Sequence, residues 1–255
     1  MGAQTVVADV ADELARRVAA GEYTPGDLMP SVRQVAEEFA MNRATAQLIL
    51  GRLESHGFVE AHRGKGFTIR DVREEGGVEV YRRLFRLSLP RPEVAVEMFR
   101  DIVTMQRQIV MDALLAYTAA PHGVERAVLE RSIDELETLA RQLNPDLPAI
   151  LAGELALVRT LLSALGHSMQ RAVLNSIGEM ILEVPTAVEA YYAVGPDLHV
   201  LMWRALAAVW DSDGGPSDAQ VALFEDLFGM FHERVVAHFD EEVVGGAETA
   251  TAATA

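Results

Sequence analysis

The 255-residue chain has no cysteine, which excludes a disulfide framework, a thiolate metal site and a cysteine nucleophile. Lysine is nearly absent too: of 22 basic residues only Lys65 is lysine, a bias we attribute to a GC-rich genome rather than to function. Positive charge is scarce overall, 22 basic against 38 acidic residues for a net −16. That argues against loose, charge-driven nucleic-acid binding but leaves room for a local basic footprint. No run reaches the roughly 18 uninterrupted apolar residues of a membrane span, and the start lacks a signal peptide's basic-then-apolar pattern. We expect a cytoplasmic protein with no membrane partner. There is no serine in a nucleophile-elbow context, no glycine-rich phosphate loop and no complete metal set, so no catalytic residue is assigned and an enzyme is not expected. What remains is ample apolar material: 50% hydrophobic and 24% charged residues exclude global disorder and fit two modest domains.

Charge divides the chain. Residues 1–75 hold nine basic and twelve acidic side chains, net −3, whereas the remainder carries −13. An anionic polymer should therefore meet the N-terminal part. Within 62–73 four basic residues face a single acid, Asp71. Val6, Val10, Leu14 and Val18 recur every four residues in a first helix over 5–20, ended by Gly21. Pro25-Gly26 is a turn. Ser31 followed by Gln34 has capping-box spacing for a second helix to about Phe39. Asn42 is an N-cap for a third, with Ala46, Ile49, Leu50 and Leu53 on one face and Gly57 as the stop. Two strands, Phe58–Ala61 and Phe67–Arg70, flank a glycine-tipped turn. Three helices and a hairpin predict a winged helix-turn-helix over 1–75.

From Val78 onward every segment reads as helix. Breaks fall at Pro90/Pro92, Pro121, Pro145/Pro148, Gly166, Pro185, Gly195-Pro196 and Gly214-Gly215-Pro216. The expected class is mainly α: the winged head, a linker helix over 76–90, an all-helical bundle of about six to seven helices over 91–244, and a disordered low-complexity tail over 245–255.

A helix-turn-helix must carry polar side chains into the major groove on the N-terminal end of its second helix. Arg43 and Gln47 lie one turn apart, opposite the apolar face, with Thr45 near them and Asn42 at the cap. Arginine can pair bidentately with guanine and glutamine with adenine; threonine can meet phosphate or a thymine methyl. Arg33, early in the preceding helix, is placed for backbone or base edge. In the hairpin Gly64 permits close approach, while His62, Arg63 and Lys65 suit phosphate or the minor groove. Double-stranded operator DNA is the expected partner.

In order and spacing the first domain resembles the GntR family of bacterial transcriptional regulators. The resemblance rests on Gly26, Pro30-Ser31, Arg33, Val35-Ala36, Arg43, Thr45, Leu53-Glu54, Gly57 and Gly64-x-Gly66-Phe67. It implies DNA contacts at Arg33, Arg43, Thr45, His62 and Gly64. The chain departs from the family at Gln47, usually a second arginine, and at Asn42, usually serine or threonine, so its operator preference should differ. An all-helical second domain, and the connection Ile69–Arg73 followed by Val80-Tyr81-x-x-Leu84-Phe85, resemble the FadR subfamily. That resemblance implies a homodimer whose helical domains bind a small effector.

Two effector chemistries follow from it. One uses a metal held by an acid and three histidines to grip a small carboxylate. Glu154 can take the acidic place and His199 a second, with His232 or His238 as the last, but Val158 stands where the first imidazole should be. The other buries an acyl chain. Leu155, Leu157, Val158, Leu161, Leu162 and Leu165 form an apolar band, joined by Met180, Ile181, Tyr191, Tyr192, Met202 and Trp203; seven of the ten methionines lie beyond residue 76. Arg107 matches a family arginine and can hold a carboxylate or phosphate. The expectation is a repressor that senses a fatty-acyl or acyl-CoA effector, with no metal and no cofactor.

Overall fold

The computed structural model describes residues 3–119, 126–210 and 217–254. The chain divides into two compact units, Met1–Ser88 and Leu89–Ala255. The expected breaks at Pro121 and Gly214-Gly215-Pro216 lie outside the described residues.

The first unit runs α1 (Ala3–Ala20), α2 (Val32–Glu38), α3 (Arg43–Ser55), β1 (Val59–His62), β2 (Gly66–Ile69) and α4 (Val78–Ser88). Helix α2 starts where Ser31 and Gln34 complete a reciprocal capping box. It stops in a Schellman motif, Met41 N–H donating to the Ala36 carbonyl at 2.9 Å and Ala40 N–H to that of Glu37 at 3.4 Å. Ala40 thereby takes φ 50°, a left-handed conformation that costs a residue with a Cβ roughly 1–2 kcal/mol. That strained residue is the turn that aims α3. Helix α3 ends in the same motif with glycine in the strained place: Gly57 has φ 81° and Phe58 N–H reaches the Leu53 carbonyl at 3.0 Å. A Cβ on Gly57 would sit 2.9 Å from Val80 on α4, so that site admits nothing larger.

Ala46, Ile49, Leu50 and Leu53 are fully buried together with Leu14 and Phe58, as the period of α3 predicts. The strands pair antiparallel from Val59↔Ile69 to His62↔Gly66, each beginning one residue away from the expected start. Backbone of 26–29 adds to the outer side of β2, with Met29 N–H donating to the Phe67 carbonyl at 2.8 Å. Helix α4, expected as a linker, belongs to this unit.

The second unit is all helix among the described residues: α5 (Pro92–Ala119), α6 (Arg126–Ala140), α7 (Leu147–Ala164), α8 (Ser168–Leu182), α9 (Pro185–Tyr191), α10 (Pro196–Trp210) and α11 (Asp218–Thr254). Asp146 caps α7 through the Ala149 amide at 3.0 Å, and Ser217 and Gln220 form a capping box for α11. Helix α7 is long and apolar enough to cross a membrane. Here it is a central core helix, with Ile150, Leu151, Leu161 and Leu162 fully buried and α5, α6, α8 and α9 packed around it. Gly178 lets α8 come close, since a Cβ there would lie 2.5 Å from the Leu155 side chain. Phe99 and Phe239 join α5 to α11 with ring centroids 4.2 Å apart. Contrary to the expected disordered tail, α11 continues through Thr254. The run after Gly246 is rich in alanine, the strongest helix former, and low complexity alone does not break a helix.

Candidate nucleic-acid interface and effector pocket

In the first unit one open groove gathers the expected DNA contacts. Its walls are the N-terminal ends of α2 and α3 and the β1–β2 hairpin, and Arg33, Arg43, Gln47, His62, Arg63, Gly64 and Lys65 all line it. Asn42 positions the first turn of α3 by accepting the Thr45 amide at 2.8 Å. The hairpin tip closes through Lys65 N–H to the His62 carbonyl at 3.0 Å, with φ 75° at Gly64 and 105° at Gly66. Only glycine adopts such angles cheaply, so the two glycines are what bring Arg63 and Lys65 to the rim.

The charges differ in availability. Arg33 pairs with Glu37 at 3.7 Å, and His62 lies 4.0 Å from Glu60. Arg43, Arg63 and Lys65 have no carboxylate partner among the described residues, and a cation free of a protein partner is what a phosphate or a guanine edge needs. Thr45 is less available than expected. Its hydroxyl lies 3.1 Å from Asn42 Oδ1, so its hydrogen is committed to the cap and it does not line the groove.

In the second unit a cavity opens among α5, α7, α10 and α11. Val103, Val110, Leu155, Val158, Met202, Trp203, Leu206, Phe228, Phe231 and Val235 supply its apolar wall; Gln106, Arg107, Glu154, Tyr191, His199 and His232 supply polar atoms. Glu154 and His199 are almost wholly buried, 4% exposed each, and Glu154 Oε1 lies 3.3 Å from His199 Nδ1. The Tyr191 and Tyr192 rings pack on the imidazole with centroids 5.1 and 4.6 Å away. Burial, and then the Glu154 carboxylate, push both phenols far above their ordinary range. His232 lies 3.1 Å from the Thr104 hydroxyl; burial first and the Arg107 guanidinium second hold it below the usual imidazole range.

The structure thus brings Arg107, Val158, Tyr191, Met202 and Trp203 into one cavity with Glu154, His199 and His232. It does not bring Leu161, Leu162 or Met180 there. Those three are core residues, at most 3% exposed and packed inside the bundle, because α7 is apolar around most of its circumference and only one strip faces the cavity. His238 also lies elsewhere, 3.5 Å from Glu241. Among the described residues no three His, Asp or Glu side chains gather closely enough to hold a metal ion.

Residues 7–69 match the model of bacterial regulatory proteins, gntR family. The N-terminal domain is a GntR-family helix-turn-helix domain. A 100-residue stretch is 35% identical to the HTH-type transcriptional regulator Mce2R of Mycobacterium tuberculosis (strain CDC 1551 / Oshkosh), covering 39% of this chain and 40% of that protein. Over 194 residues, 75% of each chain, it is 22% identical to the Fatty acid metabolism regulator protein of Yersinia pestis (strain Pestoides F). Among solved structures it is similar to Streptococcus agalactiae GntR, at 15% identity and TM-score 0.38 over 94% of this chain and 99% of that one. The Mycobacterium tuberculosis and Yersinia pestis proteins are both named as regulators. On the GntR head the expected contacts converge, with Thr45 and Asn42 serving the cap. In the helical unit Gln106, Phe228 and Phe231 line the cavity although the sequence did not single them out. Gln106 alone carried a usable signal: a polar residue beside Arg107 on an otherwise apolar helical face.

Proposed function

We infer that the chain is a transcriptional repressor that grips operator DNA as a homodimer through its GntR heads and senses a small acid in the helical unit. The convergence of Arg33, Arg43, Gln47, His62, Arg63 and Lys65 on one groove carries the DNA half of this reading. The effector half draws on the apolar cavity wall, on Arg107 as an anchor for a carboxylate, and on the likeness to a regulator named for fatty acid metabolism. The acid has an apolar, acyl-type body. The cavity works without a tightly bound metal, because Val158 sits one helical turn after Glu154 and offers no lone pair.

Effector and operator are coupled. Coupling between two such sites is typically about 1–3 kcal/mol, so a saturating acid lowers operator affinity roughly 5–150-fold. Operator DNA weakens acid binding by the same factor. Fluorescence anisotropy on labelled operator, with straight-chain acids from butyrate to palmitate, measures the first effect. Affinity unmoved by every acid in the series removes the effector half and leaves the DNA half standing.

A further inference from the structure

The buried face of α3 fixes what its opposite face offers. Ala46, Ile49, Leu50 and Leu53 are all 0% exposed. At roughly 3.6 residues per turn, the side pointing straight away from them carries Ala44, Leu48, Gly51 and Ser55. Arg43 and Gln47 lie along one edge of that face and line the groove with the wing. The centre of the face carries no charge. Leu48 is 63% exposed, more than any other large apolar side chain of the first unit among the described residues. A single exposed leucine is ordinary on a protein surface. This one has Ala44 a turn before it and Gly51 a turn after it, on the same face.

Gly51 has no reason within the chain to be glycine. A Cβ there would meet nothing within 4 Å, and its φ is not positive, so alanine would fit and would favour the helix. A face that met only solvent would also be better served by glutamate, lysine or arginine than by Leu48. Bare backbone beside a protruding isobutyl group suits a surface that comes close and has an apolar knob of its own. In the major groove the one apolar group on the base edges is the C5 methyl of thymine. Thr45, the residue expected to meet it, has its hydroxyl 3.1 Å from Asn42 Oδ1 and serves the cap. The apolar contact falls to its neighbours.

We propose that Leu48 selects a thymine in each half-site by packing on its C5 methyl group, with Gly51 admitting the groove wall close to the α3 backbone. This rests on α3 being the helix that enters the major groove, and it adds the base feature read at the centre of that helix. Arg43 and Gln47 take hydrogen-bonding base edges on the wing side; Leu48 takes a methyl-bearing pyrimidine beside them. Its selectivity comes from removing one methyl group from water. That is worth about four-fold in affinity for one contact, and about fifteen-fold when both heads of a dimer make it.

Anisotropy tests this on the duplex that the full chain enriches from a random-sequence pool. The duplex is made once with thymine and once with deoxyuridine at every thymine position, which deletes only the methyl groups and keeps every base pair. The uracil duplex is expected to bind about fifteen-fold more weakly. The ratio falls toward one in Leu48→Ala, which shortens an exposed side chain and leaves the core of α3 untouched. Gly51→Ala gives opposite signs: Tm rises because alanine favours the helix, and operator affinity falls because the added Cβ meets the groove. Equal binding of the two duplexes overturns the proposal, and leaves the recognition-helix reading standing where Arg43→Ala still weakens both. A uracil penalty undiminished in Leu48→Ala overturns it too, because the methyl groups are then read elsewhere. So does a Gly51→Ala protein that binds operator as tightly as the unmodified one. Loss of self-association in Leu48→Ala, with the uracil ratio unchanged, gives the face to a second copy instead. A pool that yields no enriched duplex defeats this proposal and the recognition-helix reading together.

Discussion

Arg43→Ala weakens operator binding by roughly 1–3 kcal/mol and relaxes base choice at one position of each half-site. Arg43 opens α3, exposed and without a carboxylate partner, and the Asn42 cap fixes where that helix begins. A guanidinium presented from the first turn of a recognition helix can make two parallel bonds to one guanine, a geometry that alanine cannot approximate. Lys65→Ala acts differently. A flexible ammonium at the hairpin tip meets phosphate, so its loss weakens all sequences alike and lowers the salt dependence by about one counterion. Anisotropy titrations at two salt concentrations, on operator and on unrelated duplex, separate the two effects. An unchanged operator affinity in Arg43→Ala means that α3 does not read the groove through this residue.

His199→Leu destabilises the protein by about 3–5 kcal/mol, the cost of leaving a buried charge without its partner. Glu154 has 5% of its side chain exposed and its Oε1 has no partner beyond the nearby imidazole. The Tyr191 and Tyr192 phenols are the remaining polar groups that interact with the Glu154 carboxylate, and neither carries a positive charge. Removing both members restores much of the loss, because two leucines leave no stranded charge. Urea unfolding of His199→Leu, Glu154→Leu and the double variant forms the cycle. The single histidine change must cost more than the double. If the double variant is the least stable of the three, the pair is not held together by charge compensation.

The DNA-reading head was legible because its signals are local. Ser31 with Gln34, Asn42 and Gly57 punctuate α2 and α3, and four apolar residues at helical spacing name the buried face of α3. The opposite face then follows by geometry. Ala40 was not legible: a left-handed alanine carries no compositional mark, and only the Schellman bonds to Ala36 and Glu37 reveal it. The cavity was half legible. Arg107, Glu154 and His199 stand out as polar residues on apolar helices. Phe228 and Phe231 do not, because what makes them a wall is how α11 turns against α5 and α9. Leu161 and Leu162 look identical to Val158 in sequence. A helix packed by neighbours on most sides hides which apolar strip faces a void, and α7 is such a helix.

Selection of bound duplexes from a random-sequence DNA pool, by the full chain, tests the central claim most directly. The account predicts enrichment of a near-palindrome whose half-sites lie about one helical turn apart, the spacing of two heads in successive major grooves. Each half-site contains a guanine whose enrichment disappears when the selection is repeated with Arg43→Ala. A pool that stays random, or a motif that survives Arg43→Ala and Gln47→Ala unchanged, contradicts it.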